Sequence, residues 1–390
     1  MRPSDDENRS RTPLWLPAFL AVVVGIGFAR FAYTPLLPLL VERGWVSAAG
    51  GAFAGSANLA GYLVGAALAQ FLAARPERAA LLNGAMLLAA VSLAACALPY
   101  GALWLGIVRF TAGVAGGLVM VLGPSAVLAH AAPDQKSRVS GLVFVGVGIG
   151  IVVSGALLPT LAQIGLATTW LALALVSLAL TLLAWRRWPA APPAPAGDAP
   201  LPRKAPLAMA ILVLAYASDG AGFVPHTLFL SDFVARGLAR GEAAGGLAWS
   251  IFGVGALVGA PLCGLIAGRI GLGVAFVGAL ATKAAFVALP LVATSPLAIA
   301  VSALVVGALT PGMVALAAGL AATLAHGPAQ ARLFGTMTIG FAIAQAAGAY
   351  GLSALFAASG SHAALFAVGA AVLAAGAAAG AVAIRRLSHG

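Results

Sequence analysis

The sequence predicts an all-α membrane protein: twelve transmembrane helices forming two six-helix bundles, related by a pseudo-two-fold axis along the membrane normal. Three observations carry that expectation. The 390 residues are 62% hydrophobic and only 8% charged, with a mean hydropathy of +1.04. Soluble domains carry about 25% charged residues, so these charges could not coat one. Twelve apolar runs are each long enough to cross a bilayer. Landmarks of the first half also return in the second at an offset of about 194 residues. Nucleic-acid binding, cytosolic metabolism and intrinsic disorder are all poorly served by such a composition.

A spanning helix needs about 20 apolar residues, because the hydrocarbon layer is roughly 30 Å thick. Runs of that kind cover 14–41, 47–73, 79–99, 101–130, 139–163, 168–185, 207–234, 243–268, 272–293, 296–325, 333–358 and 362–384. A β-barrel would instead show alternation over about 10 residues. Glycines and prolines within the runs are compatible with helices, which satisfy their own backbone groups in lipid. The first run is long and carries Arg30, unlike the short apolar core of a cleavable signal, and is read as retained. Cys96 and Cys263 fall in opposite halves, so no disulfide framework is expected.

The polar stretch RRWPAAPPAPAGDAPLPRKAP separates the sixth and seventh runs. Proline-rich segments of this kind are semi-rigid spacers. The expected organisation is a tail over 1–13, a bundle over 14–185, a linker over 186–206, a second bundle over 207–386 and a tail over 387–390. Four matches support a duplication. Tyr33-Thr34 and Arg43-Gly44 answer to His226-Thr227 and Arg236-Gly237. The break from His130 to Gln135 answers to that from His326 to Gln330, and Arg138 and Gly141 answer to Arg332 and Gly335. Six helices per half give both halves the same orientation, with a substrate site expected near the midplane between them.

The net charge of +11 is then an orientation signal. With a cytoplasmic N-terminus, fifteen basic residues fall on the cytoplasmic side, and three (Arg43, Arg236 and Arg240) fall on the other. That is the positive-inside pattern, and it places both termini in the cytoplasm. Arg30, Arg109 and Lys283 are left inside apolar runs, and among the acids Asp219 is singled out likewise.

Two motifs carry a family resemblance. Arg109-Phe110-Thr111-Ala112-Gly113 in the fourth run has an arginine followed four residues later by glycine. Gly264-Leu265-Ile266-Ala267-Gly268-Arg269-Ile270-Gly271 follows a Gly-x-x-x-Asp-Arg-x-Gly loop, with Gly268 in place of its aspartate. With the 6+6 layout, the chain resembles the major facilitator superfamily of secondary transporters over essentially its whole length. The segment GFARFAYTPLLPLL from Gly27 to Leu40 is similar to the YbfB/YjiJ group of bacterial facilitators. The resemblance implies alternating access by a carrier, not an enzyme, that works as a monomer without a cofactor in the bacterial inner membrane. Its partners would be a small solute, protons and the lipid bilayer. It also implies a gating role for Gly264, Arg269 and Gly271. The first-half counterpart of this loop, Gly65 through Arg78, lacks the aspartate, and the fifth run has no antiporter Gly-Pro motif.

A charge within the bilayer costs about 2.5–3.5 kcal/mol on insertion scales and usually faces the bundle interior. Arg30 shares a helical face with Tyr33 and Thr34, next to Pro35 and Pro38. On the seventh run Asp219 and His226 are two turns apart on one face. One reading has Arg30, Tyr33, Thr34 and His226 binding an anionic solute while Asp219, with or without His226, takes the coupling proton. The other has Arg30 and Asp219 as a permanent ion pair between the halves. Arg109 either tunes the proton-accepting group or satisfies helix-end carbonyls. Lys283 lies mid-helix, too deep to snorkel easily, and requires an inward partner. Asn58 and Gln345 either line the pathway or bond helices together. His130 and His326 suit carbonyl capping. The pairs Gly61/Gly65, Gly113/Gly117, Gly255/Gly259 and Gly264/Gly268 have the spacing of close helix contacts.

Other classes fare less well. No Gly-x-x-x-x-Gly-Lys-Ser/Thr segment exists for an ATP-driven pump. Gly123-Pro124-Ser125 offers a serine nucleophile with His226 as its base, but Val127 replaces the elbow glycine. No residues stand at metal-ligand spacing. A receptor or scaffold would lack docking loops. Among carriers, the intramembrane arginine favours a small organic anion, whereas the apolar lining would suit efflux of amphiphilic or drug-like compounds.

Overall fold

Each apolar run becomes a helix in the computed structural model, which describes residues 13–72, 75, 77–132, 135–190, 206–325 and 328–388. The N-terminal half contains α1 (Leu16–Glu42), α2 (Ala48–Leu72), α3 (Arg78–Ala95), α4 (Gly101–Leu128), α5 (Lys136–Ile164) and α6 (Leu166–Ala184). The C-terminal half contains α7 (Pro206–Gly237), α8 (Gly241–Ile270), α9 (Leu272–Val292), α10 (Pro296–Leu324), α11 (Pro328–Ser359) and α12 (His362–Ser388). All twelve are long and apolar enough to cross a membrane. His326 and most of the proline-rich linker lie outside the described residues.

Local chemistry sets the helix ends. Pro296 opens α10 behind Ser295, whose hydroxyl accepts from the Ala298 amide at 3.2 Å. Gly271 closes α8 at φ +86°, a conformation that suits glycine, and turns the chain directly into α9.

The packing of the halves repeats. In the first, α2 lies along α4, α3 against α6 and α1 against α5; in the second, α8 lies along α10, α9 against α12 and α7 against α11. Small residues allow the closest of these contacts. A methyl group at Gly61 would overlap the Phe110 carbonyl, and one at Gly255 would overlap that of Leu304. Gly264 and Gly268 behave differently from expectation. Both are exposed and a methyl at either would meet nothing, so this pair packs no helix.

The halves meet through α5 against α8 and α2 against α11. The contacts cluster toward the end of the molecule bearing Arg43 and Arg236, away from Leu16 and Ser388. There Gly155 of α5 abuts Gly246 of α8, and Ser56 of α2 meets Ser353 of α11 at 2.9 Å. The Tyr33–Glu42 part of α1 reaches α7 and α8, whereas the Leu16–Val22 part packs on α4, α5 and α6. Likewise Pro206–Gly222 of α7 packs chiefly on α11 and α12. The molecule is therefore drawn together at one end.

Candidate functional site

Helix α1 is not a uniform α-helix. Val23–Phe31 is a π-helix between α-helical segments Leu16–Val22 and Tyr33–Glu42. Gly25 and Gly27 bring this stretch against Val119 of α4 and Gly150 of α5. Just beyond it, Pro35 and Pro38 supply no amide hydrogens, so helical bonding cannot run evenly through the junction. Wide turns of this kind change the register of side chains and free carbonyls for other donors.

Arg109 takes those carbonyls. Its guanidinium donates to Ala29 O at 2.7 Å and to Arg30 O at 3.0 Å, and lies 4.6 Å from the centre of the Tyr33 ring. The Asn58 amide donates to Arg109 O at 2.8 Å and to Ala29 O at 3.3 Å. Tyr33 in turn donates to Gly51 O at 2.6 Å, and Thr34 crosses the seam to Thr227 O at 2.5 Å. Arg109 is 1% exposed. It satisfies carbonyls, as one expectation had it, but those of α1 rather than of a helix end.

Arg30 points across the seam. One terminal nitrogen donates to Gln345 Oε1 of α11 at 2.9 Å, and the guanidinium lies 4.9 Å from the Phe31 ring and 4.8 Å from that of Tyr62. Arg30 Nε, Arg109 Nε and Gln345 Nε2 are buried donors without a partner among the described residues. Among the described residues, no carboxylate forms a salt bridge with Arg30 or Arg109. Together Arg30, Tyr33, Thr34, Asn58, Arg109 and Thr227 line a cavity of about 20 Å³, room for about one water. The centre is thus rich in open donors and nearly closed.

Asp219 does not face Arg30, which corrects the expected juxtaposition. It is joined instead to Lys283 of α9 at 2.7 Å, with both side chains excluded from solvent and the ammonium 4.4 Å from the Phe223 ring. The inward partner that Lys283 required is therefore Asp219, and the pair belongs wholly to the C-terminal half. His226 also looks away from the centre. Its Nε2 bonds the Ser302 hydroxyl at 2.8 Å, and Ser302 donates to Phe286 O at 2.6 Å. With that hydroxyl proton committed, Nε2 is the donor, and Nδ1 has no partner among the described residues.

Sequence reasoning passed over Asp232, near the end of the seventh run. It is fully buried, paired with Arg236 at 2.5 and 2.6 Å and with His362 Nε2 at 2.8 Å. Its position four residues before Arg236 was the available signal.

The remaining candidates lie apart from this centre. Ser125 is exposed and its hydroxyl donates to Val121 and Leu122 carbonyls, while His226 is committed to Ser302; the two form no nucleophile–base pair. His130 bonds Ala126 O at 3.0 Å at the end of α4. Gly264, Arg269 and Gly271 sit on the exposed end of α8, on the side of the termini.

Comparison with known proteins agrees with this architecture. The nucleoside transporter NupG superposes with a TM-score of 0.73 at 14% identity, covering 94% of this chain and 99% of its own. A bacterial homologue of the human lysosomal transporter Spinster, solved in an inward-facing and occupied conformation, gives 0.69 at 14% identity, covering 95% of each chain. No curated protein sequence matches significantly. Two bundles of repeated packing that meet over a central seam are the fold shared with these transporters. Residues 22–381 match the family described as "Uncharacterised MFS-type transporter YbfB", and the chain belongs to that family.

Proposed function

We propose that this transporter moves a small organic anion, coupled to protons, across a bacterial inner membrane, with both termini in the cytoplasm. The supporting observation is Arg30: a cation in the seam between the halves, without a carboxylate partner among the described residues, whose Nε is buried and open. A carboxylate matches the planar guanidinium fork. Arg30, Gln345, Thr34 and Asn58 are the binding groups in this reading. Tyr33 and Arg109 hold their shape, and His226 drops out because it is bonded to Ser302. Asp219, with Lys283, is proposed to take and release the proton. Sidedness rests on the basic residues, and with it the closed end faces outward.

The test is a thermal-shift screen of purified protein against lactate, succinate, benzoate, amino acids, sugars and cationic drugs, repeated with Arg30→Ala. Carboxylate stabilisation that disappears with Arg30→Ala supports the reading. Carboxylate hits that survive the substitution sink it. Stabilisation by cationic amphiphiles alone would instead favour efflux.

A further inference from the structure

We infer that the Gln345 amide is a built-in stand-in for the transported anion, letting the carrier cross unloaded and so perform net transport rather than obligatory exchange. This rests on the anion reading above but concerns a separate step, the return of the carrier without solute.

Arg30 belongs to α1 and Gln345 to α11, so their 2.9 Å bond spans the two halves. Gln345 is 1% exposed. Arg30 is half-buried between the halves here, and a crossing that closed them fully around it without an acceptor would be costly. When an anion is aboard, it supplies that acceptor. When none is aboard, an acceptor must come from the protein, and no carboxylate among the described residues provides one. Gln345 Oε1 does.

The choice of an amide matters. A glutamate at this position would pair with Arg30 through full charge and compete with any anionic solute. A neutral carbonyl holds the guanidinium less tightly than a carboxylate does, so it yields when a carboxylate arrives. The amide then has a second use. Among the described residues Gln345 Nε2 has no partner, nor has Arg30 Nε. A carboxylate displacing Gln345 Oε1 would find one open donor from each half. The side chain thus serves the unloaded carrier through its oxygen and the loaded carrier through its nitrogen.

The experiment compares two transport modes in proteoliposomes, with radiolabelled lactate, succinate and benzoate as probes. Net uptake is measured into empty vesicles, and exchange into vesicles preloaded with the same unlabelled acid. Gln345→Leu and Gln345→Met, each confirmed monodisperse on elution, should lower net uptake about tenfold or more relative to exchange; the lost Nε2 contact weakens acid binding in both modes, so the ratio of the two modes is the readout. Gln345→Glu should lose both modes. Equal loss of the two modes in Gln345→Leu and Gln345→Met, or loss of neither, overturns the stand-in role. If the wild type moves none of the probes, or Arg30→Ala moves them as well as wild type, the anion reading itself fails and takes the stand-in with it. Arg30-dependent transport in which the two modes do not separate defeats the stand-in alone.

Discussion

Lys283 and Asp219 form an ion pair at 2.7 Å with both side chains closed off from solvent, joining α9 to α7 inside one half of the molecule. The seam is held instead by Arg30 and Arg109, which form no salt bridge with a carboxylate among the described residues. The chain thus separates two electrostatic tasks. In the function proposed above, one half holds the ion pair that would exchange the proton, and the seam holds the positive charge that would receive an anion. Asp219 lies on the Pro206–Gly222 segment of α7, just before that helix changes to π geometry at Pro225–Phe229. A change at Asp219 is therefore applied next to the part of α7 that reaches α1.

The first prediction separates coupling from support. Asp219→Asn should abolish uptake driven by a pH gradient while leaving counterflow exchange within about threefold of wild type, as neutralising a coupling site does without removing the solute site. Equal loss of both would show that the pair only holds helices together.

Stability gives a second reading of the same pair. Removing one member leaves a buried charge, at a cost of about 3–5 kcal/mol, whereas replacing both with apolar residues is often neutral. Lys283→Met should therefore lower the melting temperature in detergent sharply. The double variant Lys283→Met with Asp219→Leu should recover most of that loss, yet remain unable to accumulate solute against a gradient. A double variant no more stable than the single one contradicts this account.

The twelve helices and their division into halves were legible because lipid demands long apolar runs and duplication leaves landmarks at fixed spacing. The interior was less so. Lys283 and Asp219 are 64 residues apart, on helices whose facing is set by three-dimensional packing and not by any local period. The face shared by Asp219 and His226 could be read from their spacing, but it looks onto α9 and α10 rather than the cavity. The π segment Val23–Phe31 leaves no periodic mark either. The glycines within it and the prolines just beyond it announce a disturbed helix without saying which carbonyls are freed, so the contact between Arg109 and the Ala29 and Arg30 carbonyls could not be foreseen. Gly264 and Gly268 show the converse: the spacing of a packing motif on a face that packs against nothing.

Arg109 should behave as the clamp of the α1 π segment. Its two bonds to Ala29 O and Arg30 O are charge-assisted, worth about 1.5–3 kcal/mol each. Arg109→Lys offers a point charge instead of a fork and cannot serve both carbonyls with the same geometry. It should lower stability by about 2 kcal/mol and weaken carboxylate binding, because the backbone carrying Arg30 is no longer fixed. Calorimetric melting and probe titration would check it; unchanged affinity with lowered stability would confine Arg109 to a structural role.

At the closed end Glu42 of α1 and Glu242 of α8 face each other across the seam, with Gln163 donating to Glu242 at 2.9 Å. Two ionised carboxylates side by side repel, but exposed pairs are worth only about 0–1 kcal/mol. Glu42→Gln should therefore tighten this end modestly. A cysteine at position 56, in a background with Cys96 and Cys263 replaced by serine, should react about two- to fivefold more slowly with an impermeant maleimide. Faster labelling would mean that the pair holds the seam together.

The last prediction concerns the seam itself. A methyl group at Gly155 would press on the Gly246 carbonyl, and one at Gly246 on the carbonyl of Gly155, so α5 and α8 touch backbone to backbone here. The contact lies on the closed side of Arg30, where drawing the halves together depends on the absence of side chains. Gly155→Val inserts a branched group into that contact. Overpacking of this kind costs about 1–3 kcal/mol, and the strain is relieved if the halves part at this end without disturbing either bundle. Labelling at position 56 should then rise about tenfold or more, while the melting temperature of the full chain changes little. Gly84→Val, on α3 where a side chain meets open space, should leave labelling unchanged. Because Gly27 and Gly150 make a comparable contact within the N-terminal half, Gly150→Val should instead lower stability without raising labelling. A seam that stays equally protected in Gly155→Val would show that closure of this end does not depend on the α5–α8 backbone contact.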